Sequence, residues 1–358
     1  MTTRVGVEEE LMSVVEYLRA APKAHLHVHL EGSILPETLL TLARRNGVAL
    51  PADTVEGLRA WFTFRDFDHF IEIYLTITRC LRTVEDYELI AYEFGAEMAR
   101  QHIRYAEVTF SPSTHEALGV PFATQFAGLT RGRERARDEF GVEMAWIFDI
   151  VRNIAQERRA QWAEYTLARA IEGMDAGVVA FGLGGAEVGN PPEAFAPYFA
   201  RAREAGLHCI PHAGETDGPA SVWGAIRALG AERIGHGVRS IEDPALVAYL
   251  ADQQIALEVC PTSNLRLGVY PDYAAHPLRR LYEAGVPITI NADDPPLFNT
   301  TLNDEVELLA TAFGLSLDEI NAILLNGVRY SFLPAERKAA LEVEFVAELA
   351  RLRSDLTP

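Results

Sequence analysis

The sequence predicts an α/β protein built as a closed (β/α)8 TIM barrel, and three observations carry that prediction. Eight short β-like apolar runs alternate with stretches of helical periodicity along nearly all of the 358 residues. Side chains suited to metal ligation or proton transfer gather at the C-terminal ends of those runs, the face on which such barrels carry their sites. No tandem repeat, low-complexity run or linker interrupts the alternation, so residues 1–358 read as one domain.

Residues 7–20 read as a short leading helix ended near Pro22. The first strand is His25-Leu26-His27-Val28-His29-Leu30, stopped by Glu31-Gly32. Alternation of His with Leu and Val is the period-2 pattern of a strand, so the imidazoles share one face. Same-face neighbours lie about 6.6 Å apart, close enough for two side chains to meet at one metal ion. His25 is about 13 Å from His29 by the same arithmetic. It therefore belongs to a deeper layer, as interior filling. An early helical insertion, about 36–100, follows. Within it Pro36 to Asn46 is helical and closed by Gly47, and 84–100 is a long helix. The segment 61–82 between them is rich in aromatics, including Phe62, Phe64, Phe67, Phe70 and Tyr74. Its helical spacing fits core packing. Its position between the first two strands also fits an apolar lid over a flat ring-shaped ligand, touched by Phe67 and Phe70.

Further strands are predicted at 103–110, 143–151, 177–183, 207–212, 233–238, 255–260 and 286–291. Helical periodicity follows at 192–205, 219–229, 244–252 and 277–284, and 316–356 forms a helical tail.

Composition narrows the partners. The net charge of −19 argues against nucleic acid or an anionic membrane surface. Glu8-Glu9-Glu10 near the start is unlike a signal peptide, and no run of ~18 apolar residues offers a membrane span. Cys80, Cys209 and Cys260 are far apart and read as reduced thiols, so the expectation is a soluble cytoplasmic protein. The only lysines are Lys23 and Lys338. That nearly excludes a Schiff-base lysine and a modified lysine bridging two metals in mid-chain.

The strand ends, taken in order, give His27, His29 and Glu31; then Gly184-Gly185-Ala186-Glu187; His212-Ala213-Gly214-Glu215; Gly235-His236-Gly237; Cys260-Pro261-Thr262-Ser263-Asn264; and Asn291-Ala292-Asp293-Asp294. His212 alone could be a packed strand histidine, and His236 alone could serve a tight turn. Four strand ends all carrying such groups are hard to produce by packing. His27, His29, His212 and one aspartate supply the imidazole-plus-carboxylate set of a mononuclear catalytic ion that keeps a position open for water, whose pKa the ion lowers toward neutrality. His69, His102, His115, His208 and His276 lie off these ends and read as ordinary surface or core histidines.

Four ordered motifs also resemble one family. Pro22-Lys23-Ala24-His25-Leu26-His27-Val28-His29-Leu30-Glu31-Gly32, His212-Ala213-Gly214-Glu215, Arg233-Ile234-Gly235-His236-Gly237 and Asn291-Ala292-Asp293-Asp294-Pro295 are similar to those of the adenosine deaminase family, over about residues 20–335. The resemblance implies one Zn²⁺ held by His27, His29, His212 and Asp293. It implies that His236 orients or deprotonates the attacking water and that Glu215 protonates purine N1. Asp294 would bond N7, the Gly185 N–H would meet N3, and Glu31 stands where the family's nucleoside deaminases often place a contact to the ribose 5′-hydroxyl. The implied partner is an adenine nucleoside. The cytidine deaminase pattern, His-x-Glu with Pro-Cys-x-x-Cys, is absent.

Two positions depart from the family pattern. His25 stands where an acidic residue is expected. Phe181-Gly182-Leu183-Gly184-Gly185-Ala186-Glu187 replaces an Asp-Leu-Ala-Gly-Asp-Glu type of strand end, and looks more like the branch acting on 6-amino-6-deoxyfutalosine. The serine-bearing variant of the adenine-specific branch is lacking.

Overall fold

The computed structural model describes residues 14–64 and 67–356, leaving aside the side chains of Phe67 and Asp68. Eight strands run parallel in chain order. They are β1 (Lys23–His29), β2 (Ile103–Phe110), β3 (Glu143–Val151), β4 (Val178–Gly184), β5 (His208–Ala213), β6 (Arg233–His236), β7 (Ala256–Val259) and β8 (Ile288–Ile290). Each predicted strand is present, with ends shifted by a residue or two.

The barrel closes between β8 and β1 with little ladder. A single bridge pairs Val28 with Asp293. The His29 N–H donates to the Asp293 carbonyl and the Asp293 N–H to the His27 carbonyl. The Asn291 side chain serves in place of further ladder, its Oδ1 accepting the Leu26 and His27 N–H groups at 2.8 and 3.0 Å. Side-chain amides can replace backbone partners in this way wherever buried N–H groups must be satisfied.

The insertion between β1 and β2 is helical, as Pro36–Asn46, Val55–Trp61, Phe67–Arg79 and Val84–Arg100. Of the leading helix, residues 14–20 are helical, and its expected first half lies outside the described residues. Thr83 and Asp86 form a capping box at the start of Val84–Arg100, which satisfies two otherwise unpaired N–H donors. The tail folds as Leu317–Arg329 and Ala335–Asp355. Ala24, Leu26, Tyr105 and Ala145 of the first three strands pack with Val328, Leu341 and Phe345 of these two helices.

The barrel interior is not apolar throughout. The Arg233 guanidinium is buried against two carboxylates, with Nε 2.6 Å from Glu258 and Nη2 bonded to Glu107. A buried charge is tolerated when it is paired and hydrogen-bonded. Arg233 meets both conditions. Cys80, Cys209 and Cys260 are free and buried, in line with the reduced thiols expected. Among the described residues no helix is long and apolar enough to cross a membrane.

Candidate active site

Strand alternation puts His25, His27 and His29 on the inner face of β1, and the ends of β2 to β6 and of β8 add Ser111, Asp149, Gly185, His212, His236 and Asp293 to the same mouth. The ligating atoms of His27, His29, His212 and Asp293 lie within 4.8 Å of one another. His29 Nε2 is 3.2 Å from His212 Nε2 and 3.3 Å from Asp293 Oδ1, and His27 Nε2 is 3.4 Å from that same oxygen. The expected quartet is thus brought together by two strands, β1 and β5, and the residue run after β8.

These residues fit a metal ion. Three imidazole nitrogens and a carboxylate oxygen converge, and His27 Nε2 is buried with no hydrogen-bond partner. Such groups are otherwise costly to bury. The local field also calls for positive charge. Against the opposing effect of burial, Asp293 and Glu258 raise His27 to about 9. His29 is raised to about 10 by Asp294 and Asp293, again against burial. Glu258 fixes His27 from behind, its Oε2 lying 3.0 Å from Nδ1. That is the carboxylate–imidazole pairing that orients a ligand histidine. His25 lies deeper, with Nε2 accepting the Ala292 N–H at 3.1 Å. A second grouping, His236, Cys260 and Asp293, also clusters. Burial pushes the Cys260 thiol well above its ordinary value, which keeps it neutral and a poor ligand.

Around the quartet stand the groups for proton transfer. His236 Nε2 is 3.6 Å from Glu215 Oε1 and 3.8 Å from Asp293 Oδ2. Its backbone sits in the left-handed region with φ 59°, and Asp293 does so with φ 63°. Non-glycine residues held there are uncommon and cluster at functional sites. On its other side His236 Nδ1 is 3.2 Å from the Asn264 side-chain amide, whose Oδ1 is 3.1 Å from His276 Nε2. His276, read from sequence as an ordinary histidine, therefore steadies His236 through Asn264. Burial, with the neighbouring imidazoles, lowers His236 to about 3 and His212 well below the usual range, so both are neutral.

Glu215 Oε1 and Asp294 Oδ1 are buried without a hydrogen-bond partner, and both residues line the cavity at the barrel mouth. Burial raises the Glu215 carboxyl to about 8, with Asp293 and Glu187 adding to it. Asp294 is raised by burial and then by the charge of Asp293. The loop bearing Glu215 is held by Glu187. Its carboxylate accepts the N–H of Gly214 at 2.5 Å, of Glu215 at 3.1 Å, and of Thr216 and Asp217 at 2.9 Å each.

The cavity measures about 190 Å³ and opens from the quartet toward Phe70, Tyr74, Leu75, Val151, Ile154 and Leu267. Phe70 stacks on Phe298, rings 5.7 Å apart and 14° from parallel, so the aromatic segment both packs and covers the site. The predicted contact from Phe67 lies outside the described side chains. Gly185 lines the cavity as expected. Glu31 is placed differently. It is fully buried and absent from the cavity lining, with Oε1 accepting the Ser111 N–H at 3.2 Å and meeting His115 Nε2 at 3.0 Å. Those partners, His115 before Ser111, outweigh burial and hold its carboxyl below the ordinary value. The wall in front is formed by Ser111, Thr114, Asp149 and Asn153, none of which sequence reasoning found.

A parallel eight-stranded barrel with a three-imidazole, one-carboxylate centre at its C-terminal mouth defines a metal-dependent hydrolase of the amidohydrolase kind. The chain belongs to the adenosine deaminase family, whose pattern it matches over residues 22–348. It is 43% identical over 328 residues to an aminodeoxyfutalosine deaminase of Streptomyces coelicolor, covering 92% of this chain and 84% of that one. It is 42% identical over 338 residues to an adenine deaminase of Cupriavidus necator, covering 94% and 93%. Among solved structures it is similar to an adenine deaminase from Arthrobacter aurescens, at 33% identity and a TM-score of 0.86 over 93% of this chain and 99% of that one. It also resembles an amidohydrolase from Burkholderia ambifaria with bound Zn, at 27% identity and a TM-score of 0.88 over 96% and 94%.

Proposed function

We propose that this chain is a zinc-dependent aminohydrolase that converts the 6-amino group of an adenine nucleoside to a 6-oxo group, releasing ammonia. The observation that carries the reading is the pair of orphaned carboxylate oxygens, Glu215 Oε1 and Asp294 Oδ1, at the cavity beside the His–Asp quartet. A purine presents unshared pairs at N1, N3 and N7, and buried carboxyls able to donate suit two of them.

His27, His29, His212 and Asp293 would hold the ion, which when bound supplies hydroxide near neutral pH. Glu215 would donate its proton to N1 as water adds to C6, so the charge entering the ring is neutralised there. His236, neutral and near Glu215, would take one proton of the attacking water and pass it to the departing amine, and the water's second proton would return to Glu215 as the 6-oxo group forms. Asp294 would bond N7 and the Gly185 N–H would meet N3. Phe70 and Tyr74, which line the cavity, would exclude bulk water from the ring.

Within this class, a 5′-extended nucleoside of the 6-amino-6-deoxyfutalosine type is the substrate we favour. The outer cavity supports it, being apolar along Phe70, Ile71, Tyr74, Leu75, Ile154 and Leu267. The similarity to the Streptomyces enzyme supports it as well. Adenosine and free adenine are the competing substrates. Ammonia release by zinc-loaded protein at equal concentrations of the three compounds tests this. The favoured reading expects the highest kcat/KM with the futalosine compound, and a higher value with adenosine or adenine would overturn it.

A further inference from the structure

The carboxylate of Asp149 touches none of the groups that would hold the ion or move a proton. It lies at the C-terminal end of β3, is 2% exposed, and lines the cavity. Ser111 donates to its Oδ1 at 2.6 Å. No arginine or lysine lines the cavity among the described residues. A buried carboxylate needs donors, and one hydroxyl leaves its second oxygen with capacity to accept.

The neighbouring strand is cut back around this side chain. Asp149 pairs in register with Gly182. A Cβ on Gly184 would stand 2.5 Å from Asp149 Oδ2, and one on Gly185 would stand 2.2 Å from Asn153 Oδ1. Any side chain at either position would displace these groups. The glycines at the end of β4 thus open the space that Asp149 and Asn153 fill, with Asn153 against Gly185.

Ring chemistry connects that space to the substrate. In adenine, N3 and N9 are both bonded to C4, so a group on N9 emerges beside whatever holds N3. With N3 at the Gly185 amide, N1 at Glu215 and N7 at Asp294, the N9 substituent leaves along the wall of Ser111, Asp149 and Asn153. Asn153 Oδ1 is already engaged, accepting the Ala186 N–H at 3.3 Å. Asp149 is the acceptor that remains.

We propose that Asp149, oriented by Ser111, is a specificity-determining residue that accepts a hydrogen bond from a sugar hydroxyl of the nucleoside and so selects ribosides over the free base. This rests on the purine orientation proposed above. A site that bonds a substrate hydroxyl discriminates strongly against the analogue lacking it, because its own polar group is then left unpaired.

The test is kcat/KM for the best riboside, its 2′-deoxy and 3′-deoxy analogues, and adenine, with the zinc-loaded wild type, Asp149→Ala and Ser111→Ala. The wild type is expected to prefer the riboside to one deoxy analogue by about 10- to 100-fold. Asp149→Ala should compress that preference to within about threefold, with a larger fall on the riboside than on adenine, and Ser111→Ala should move the ratio in the same direction by less. Wild-type activity with an unchanged ratio in both variants, or an equal fall on every substrate, would overturn the role of Asp149 alone. Wild-type protein that releases ammonia from none of the compounds would overturn the purine reading and this inference with it.

Discussion

Glu187 is the most exposed point of the proposed mechanism, because it touches no reacting group and yet sets the position of one that does. Four consecutive N–H groups, from Gly214 to Asp217, donate to its carboxylate. Hydrogen bonds to a charged acceptor contribute about 1.5–3 kcal/mol each. In Glu187→Ala, the Thr216 and Asp217 N–H groups are half-buried and can take water, while those of Gly214 and Glu215 are buried and cannot. Arg152 adds to the loss. It is buried with Nε and Nη1 unpartnered, and Glu187 is the strongest of the carboxylates that favour its charge. A destabilisation of about 4 kcal/mol follows from two stranded donors and one weakened charge. Freed from its anchor, the loop shifts Glu215 by the order of 1 Å, which is worth about 10²-fold in rate. Urea unfolding reads the first quantity, and ammonia release at saturating zinc reads the second. Glu187→Gln, which keeps one acceptor oxygen, should fall between wild type and Glu187→Ala in both. The reasoning is refuted by a Glu187→Ala protein that loses less than about 1 kcal/mol and keeps kcat/KM within about threefold.

Glu258→Gln removes the carboxylate behind His27 and should weaken zinc affinity about 10- to 100-fold, measured by competition with a chromophoric chelator. Unchanged affinity would remove Glu258 from the metal centre. Asn264→Ala, which unlinks His236 from His276, should lower kcat by about tenfold with little change in zinc content; a fall in zinc content equal to the fall in kcat would contradict that assignment. Burial raises Glu305 to about 7 although Thr262 and Thr300 donate to it. Its folded-state pKa lies above the ordinary 4.5, so the stability it contributes is fully present below pH 4.5 and is lost as pH rises through 7, by about 3 kcal/mol. Glu305→Gln should flatten that part of the stability–pH curve, and denaturant melts from pH 4.5 to 8 would show an unchanged slope if the assignment is wrong.

The parts of the molecule that sequence made legible are those written as local periodicity or short motifs. Strand alternation in His25–Leu30 and the count of eight apolar runs were enough for the barrel; the strand ends offered three histidines and one of two aspartates, and the choice of Asp293 came from the family resemblance. Strand ends shifted because apolar runs continue into loops, and β8 is only three residues, with the Asn291 side chain supplying pairing to β1. What stayed hidden depends on partners far apart in the chain. Glu31 follows the His-x-His motif closely, yet His115, 84 positions away, takes up its carboxylate. Glu187 serves a loop 27 to 30 positions on. Asp149 carried one readable signal, a lone charge within the apolar run Trp146-Ile147-Phe148-Asp149-Ile150-Val151. A charge there is excluded by packing unless something on the inner face requires it.

The most direct test of the account is to incubate zinc-loaded wild type and Glu215→Gln with an adenine nucleoside and to measure ammonia and the 6-oxopurine product together with bound zinc. The wild type should give equal amounts of the two products, and the variant should bind zinc normally but be slower by about 10²- to 10⁴-fold. Near-normal turnover by Glu215→Gln would contradict the proton-transfer role at its centre, and wild-type protein that binds zinc yet releases no ammonia would contradict the deamination itself.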